Sequence, residues 1–168
     1  MGRDKKNEQR TEHYTQMVRT MMETDAWRAL STSSQALYPW LRLEWRGPKF
    51  NNNGRIRLSV RQAAECLGCN VKTAARALHE LQKKGFIYVT EGARLGLSGE
   101  AKSPSLELTE LPMPASNSHT GRKLYMKWKV GHDFPVSRAS THNPTGRNGQ
   151  KTCAQKRNTV VPITGTGR

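Results

Sequence analysis

The sequence predicts a mainly α fold with a small β element, followed by a basic stretch that adds little core. Three observations lead there. Apolar residues recur at helical spacing from near the N-terminus to about residue 84. Apart from the short run Ile56–Leu58, stretches with the Phe, Ile, Tyr and Val content of strands come after that point. The composition then changes: residues 112–168 carry ten Lys and Arg residues against a single acid, Asp133. Across 168 residues there are 28 Lys and Arg and 13 Asp and Glu, a formal net charge of +15. The hydrophobic share is 35%, below the roughly 45–50% (a count that includes Gly) usual for globular domains. Such a chain holds one ordinary domain plus tails.

The elements follow in order. Tyr14, Met17, Val18, Met21 and Met22 share one face of an amphipathic helix expected from about Thr11 to Thr24. That stripe packs either on the chain's own core or on a second copy, since flexible Met side chains suit adaptable contacts. Asp25 is placed to cap a short helix, Ala26–Leu30. Thr32 and Gln35 have capping-box spacing and open the next helix, which runs on to Trp45. Pro39 lacks a backbone donor and is expected to kink or restart it. Gly47-Pro48 and Asn53-Gly54 mark a loop. Ile56–Leu58 reads as a short strand. Ser59 caps a helix that ends at Gly68, where a positive φ is cheap only for Gly. Asn70 caps a further helix, Val71–Lys84, stopped by Gly85. Phe86–Thr90 and Leu106–Thr109 read as strands. The expected units are therefore an N-terminal amphipathic helix (1–24), a domain (25–111), a basic aromatic arm (112–136) and a disordered basic tail (137–168).

The order helix, strand, helix, tight turn, helix, strand, loop, strand is that of a winged helix-turn-helix. AAECLGCNVKTAARAL, Ala63 to Leu78, resembles the bacterial helix-turn-helix pattern. Ala64 stands at its small-residue position, Gly68 at its turn, and Asn70 where a Ser cap is usual. Thr73, Arg76, Ala77 and Leu78 match the remainder. Ala74 departs from it, because Val or Ile is commoner there. Residues 25–111 thus look like the helix-turn-helix domains of bacterial, plasmid and prophage proteins, among them regulators and replication initiators. YTQMVRTMMETDAWRALSTSSQALYPWLRLEWRGP is also similar to uncharacterised proteobacterial proteins of this kind. The resemblance implies a DNA-binding fold without assigning a process.

Spacing points the same way. Ala74, Ala77, Leu78 and Leu81 fall on one face of the 71–84 helix, and Lys72, Arg76, His79 and Lys83 on the other. A cationic stripe of this kind suits a major groove, where Arg and Lys donate to guanine edges. Lys72, Thr73, Arg76 and His79 are the expected base readers. Asn70, Lys83, Arg55, Arg57, Arg61, Gln62, Arg94 and Lys102 are the expected backbone contacts. Arg122, Lys123, Lys127 and Lys129 are auxiliary contacts on the arm. Leu124, Met126 and Trp128 alternate as a strand that docks on the domain. Alternatively, Tyr125 and Trp128 stack on unpaired bases.

The sequence asks for no catalysis, cofactor or metal. Cys66 and Cys69 have C-x-x-C spacing, but no second close pair of ligands accompanies them. No phosphate-cradling Gly-Lys loop, nucleophile elbow or carboxylate cluster is present. No apolar run approaches the roughly 18 residues of a membrane span. Three cysteines and a polar N-terminus lead us to expect a reducing, cytoplasmic setting. Double-stranded DNA is the expected partner, bound by a transcriptional regulator. A plasmid or prophage replication initiator and a basic RNA- or ribosome-associated protein are the alternatives. A homodimer formed through the Tyr14–Met22 stripe is a further expectation.

Overall fold

The computed structural model describes residues 13–95, 101–114 and 120–137. Among these, five α-helices and a small three-stranded antiparallel sheet surround one core. Helices α1 (Arg19–Met22) and α2 (Asp25–Arg28) are single turns, and α3 spans Thr32–Leu43. Strand β1 (Ile56–Arg57) precedes α4 (Val60–Leu67) and α5 (Val71–Lys83). Strands β2 (Ile87–Glu91), β3 (Arg94–Leu95), β4 (Ala101–Lys102) and β5 (Ser105–Leu108) follow. The sheet order is β1-β5-β2, and β3 pairs with β4 as an antiparallel extension of the β2–β5 hairpin.

The N-terminal half corrects the sequence reading. Of the helix expected over residues 11–24, only Arg19–Met22 is helical, and residues 13–18 are irregular. Its apolar stripe is split. Met21 is buried, Met17 packs on the core, and Tyr14, Val18 and Met22 are exposed. What holds this segment is Arg42, whose Nη2 donates to the Gln16 carbonyl at 2.9 Å. Arg42 is itself buried, with Nη1 3.3 Å from the Glu110 carboxylate, and Tyr38 donates to the same carboxylate at 2.8 Å. Burial, reinforced by the Glu110 charge and hydrogen bond, pushes the Tyr38 phenol well above its ordinary pKa. Thr24, not Asp25, caps α2, and Ser31, not Thr32, caps α3. Pro39 lies inside a helix that runs on without restarting. Trp45 lies beyond its end, with its indole N–H donating to Asn51.

The core joins the helices to the sheet through aromatic rings. Trp27, Tyr38 and Phe86 meet edge-to-face, with centroids 5.6–5.7 Å apart. Such contacts set the ring edge against the π face of its neighbour, the favourable quadrupole arrangement. Phe86, expected to open a strand, instead precedes β2 and turns fully inward. Its other face stacks on Tyr125 at 4.9 Å and 1° between planes. The 120–137 segment is accordingly a strap on the same core. Its Leu124–Lys127 stretch is a 3-10 turn, not the strand that alternation suggested. Tyr125 and Trp128 are buried, while Met126, expected to dock, is 65% exposed. The tail beyond Ser137 lies outside the described residues, as does Thr11.

Candidate nucleic-acid interface

Helices α4 and α5 pack on one another, and the residues that α4 buries are Ala63 and Ala64. From α5, Ala74, Ala77, Leu78, Leu81 and Gln82 are buried. Small side chains let two helices cross closely, and Ala74 fits because it is fully enclosed. The connection is tight. Gly68 takes φ +60°, so that its N–H reaches the Glu65 carbonyl at 3.1 Å and the Cys69 N–H reaches Ala64 at 3.0 Å. This is the double bond of a left-handed helix stop. Ser59 and Gln62 form a reciprocal capping box at the other end of α4. Helix α5 is then held against α3 by Glu80, whose carboxylate accepts from the Ser31 N–H at 3.1 Å and from the Ser31 and Ser34 hydroxyls.

This frame leaves the N-terminal half of α5 outward. Lys72 and Arg76 are exposed. No Asp or Glu occurs between Glu65 and Glu80, so local charge is uniformly positive or neutral. Thr73 is half-buried, and its hydroxyl donates to Asn70 Oδ1 at 3.1 Å, beside the Thr73 N–H at 2.8 Å. Asn70 and Thr73 therefore serve the cap. This weighs against Thr73 as a base reader, because its only hydroxyl proton is committed. Gln62 likewise spends its amide oxygen on Ser59 and retains only its NH2 group.

The other cations divide into two sets. Arg55, Arg61 and Lys102 are exposed, as are Lys123, Lys127 and Lys129 on the strap. Arg94 lies on β3, paired in register with Lys102. Several residues have internal partners instead. Arg57 approaches Glu91 at 3.4 Å and the Ser105 hydroxyl at 3.3 Å. Arg122 forms a two-pronged ion pair with the buried Glu107 carboxylate, and its guanidinium lies 4.6 Å from the Tyr88 ring centroid. It fastens the strap to the sheet, so part of its charge is met by Glu107. Lys83 lies 3.6 Å from Asp133, which also meets Lys84 at 3.3 Å. His79 and Gln82 line a cleft with Ser137, and Gln82 accepts from the Ser137 N–H. The far half of α5 thus faces the strap.

Asp133 is the residue that sequence reasoning overlooked. Its carboxyl is held below the usual carboxylate range, chiefly by the Trp128 indole N–H at 3.0 Å, with Lys84 and Lys83 adding to the effect and partial burial opposing it. Being the one acid in residues 112–168 was the available signal. The aromatics of the strap do not offer themselves to bases, because Tyr125 and Trp128 face the core. Among the described residues no group of three or more His, Cys, Asp or Glu side chains is placed to hold a metal, and no helix is long and apolar enough to cross a membrane. No protein-family model, curated protein or solved structure matches this chain.

Proposed function

We propose that the chain is a winged helix-turn-helix protein that binds double-stranded DNA, with α5 entering the major groove. Lys72 and Arg76 read base edges in this scheme, and Arg55, Arg61 and the β3–β4 hairpin, with Arg94 and Lys102, hold phosphates. The hairpin is the wing. The single observation that carries the reading is the exposed, acid-free N-terminal half of α5, set by a glycine turn against the alanine face of α4. A major groove about 12 Å wide admits one such helix. Support also comes from the three-stranded β1-β5-β2 sheet and from the antiparallel β3–β4 pair that falls between β2 and β5 in the chain. The protein acts as a regulator of transcription in a bacterial or prophage setting, in the cytoplasm, by binding and not by catalysis. Origin binding by a replication factor would use the same face.

The RNA-binding alternative loses ground, because it needs the strap aromatics to stack on bases and they are buried. A homodimer through Tyr14, Val18 and Met22 keeps three exposed side chains but has lost Met21 to the core.

Selection of the full chain against a random duplex library tests the proposal. Enrichment of a defined motif is expected, palindromic if two copies bind. Recovery of unenriched sequence, or preference for single-stranded RNA, overturns it.

A further inference from the structure

We propose that the pocket between the 46–55 loop and Met113 binds a small organic anion, its phosphate or carboxylate held between Arg46 and Arg55. The pocket has a volume of about 500 Å³, within the roughly 300–1,000 Å³ usual for sites that take small ligands. Neither α4 nor α5 contributes to its lining, so it is separate from the face proposed for DNA.

The lining offers donors. WRGPKFNNNGR, Trp45 to Arg55, carries three cations and no acid. Arg46 and Arg55 are exposed at the pocket, and neither guanidinium is paired with an acid among the described residues. The asparagine oxygens are already used. Asn51 Oδ1 accepts from the Trp45 indole and the Asn53 N–H, and Asn52 Oδ1 accepts from the Arg46 N–H. Asn53 Oδ1 accepts from the Gly54 and Leu108 N–H groups. The amide nitrogens keep capacity, because an NH2 group carries two protons. Asn51 gives one to the Pro112 carbonyl and Asn52 gives one to the Glu44 carbonyl, which leaves one N–H on each. Two guanidiniums and spare amide protons with no carboxylate among them suit an anion and repel a cation. Hydrogen bonds from Arg to carboxylate or phosphate are of the strong, charge-assisted kind.

The walls stand before any ligand arrives. Asn53 Nδ2 donates to the Leu108 and Leu111 carbonyls at 3.1 and 3.0 Å, which ties the loop to the end of β5. Gly54 has φ +84°, and a Cβ there would lie 2.6 Å from Met113 Cε. The missing side chain thus lets Met113 close against the loop as an apolar wall beside Pro114. A preformed pocket with an apolar wall favours an anion that carries an organic body over a bare ion. Arg55 is also one of the phosphate contacts proposed above, so an occupant would compete with duplex for it. Binding of the anion itself does not depend on that reading.

Titration of the full chain without nucleic acid, followed by NMR of the Asn51 and Asn52 side-chain amides and the Trp45 indole, tests this. Adenosine monophosphate is the phosphate probe, citrate the carboxylate probe, and inorganic phosphate the probe without an organic body, all at one ionic strength. Saturable shifts are expected with adenosine monophosphate or citrate, and the tighter of the two identifies the anionic group. Arg46→Glu should weaken that binding by about tenfold or more. Met113→Ala should narrow the gap to inorganic phosphate. Shifts that grow without saturation overturn the proposal, as do saturable shifts that Arg46→Glu leaves unchanged. Inorganic phosphate binding as tightly as either organic probe overturns it too. Loss of duplex affinity in Arg46→Glu with no binding of any probe also overturns it and assigns the pocket to the DNA backbone.

Discussion

Replacing Tyr125 with alanine separates a strap that belongs to the core from an arm that merely rests on the domain. The ring is 4% exposed and stacks in parallel on Phe86, which in turn contacts Trp27 and Tyr38. An aromatic side chain buries roughly 150–250 Å², and at about 25 cal/mol per Å² its removal forfeits roughly 4–6 kcal/mol before alanine's own contribution is subtracted. Large-to-small substitutions of buried aromatics cost about 3–5 kcal/mol when measured. Stability of an ordinary domain is about 5–15 kcal/mol, so Tyr125→Ala should remove at least about a fifth of it. Urea unfolding followed by tryptophan fluorescence reads this as a lower midpoint at unchanged slope. Met126→Ala is the control; at 65% exposure it should stay within about 0.5 kcal/mol. A Tyr125→Ala midpoint shift worth less than about 1 kcal/mol would refute the reasoning. A separate early transition for the strap would refute it equally, because both mean that Phe86 does not need the second ring.

Other outcomes follow from the same coordinates. The Tyr125 phenol is pushed up to about 12, first by burial and then by the Glu110 charge, with Arg42 opposing. Its folded value lies above the unfolded value near 10, so the unfolded chain releases its proton first and stability falls as pH rises through that window. Phenolate absorbance should show late ionisation of both Tyr125 and Tyr38, and Tyr125→Phe should reduce its amplitude by one phenol. Asp133→Asn removes the charge facing Lys83 and Lys84, while Lys84 keeps the Trp128 ring at 4.0 Å; duplex affinity should rise at low salt, and its logarithmic salt slope should steepen by about 0.9 if Lys83 reaches a phosphate. An unchanged slope would place Lys83 away from DNA. Arg76→Ala should cut discrimination between cognate and random duplex by about 1–3 kcal/mol; equal weakening on both assigns Arg76 to the backbone. Gly85→Ala places a methyl 2.8 Å from the Phe134 ring and 3.0 Å from the Leu124 backbone at φ +77°, and should cost about 1–3 kcal/mol in the same urea assay.

The parts legible in the sequence are those fixed by local chemistry. Ser59, Gly68 and Asn70 each satisfy orphan backbone groups within a few residues and stand where their chemistry placed them, whereas the return bond from Gln62 that completes the Ser59 box goes beyond the single cap expected there. The alternation of Leu124, Met126 and Trp128 failed because a period of two needs a neighbouring strand to matter. Here Lys123 turns at φ +46° and its N–H reaches the Thr109 carbonyl, so the chain bends into a 3-10 turn and offers Tyr125 instead. The Met stripe failed for a similar reason. Met21 is buried, and the segment before it is tied to α3 by Arg42, whose guanidinium donates to the Gln16 carbonyl from 26 residues away, an interaction that no local window contains.

The same distinction bears on the candidate interface. Lys72 and Arg76 were readable because a helix face is set by spacing alone. The company kept by Lys83, Arg57 and Arg122 was not, because their acids, Asp133, Glu91 and Glu107, arrive from elsewhere in the chain. Of these, the Lys83–Asp133 pair involves α5 itself and narrows its cationic stripe to Lys72 and Arg76. A recognition helix lying in a major groove contacts base edges with its N-terminal residues. On the proposed reading, the Lys83–Asp133 pair and the Ser137–Gln82 bond hold the C-terminal half of α5 against the strap, and Lys72 and Arg76 remain as the outward cations of its N-terminal turns.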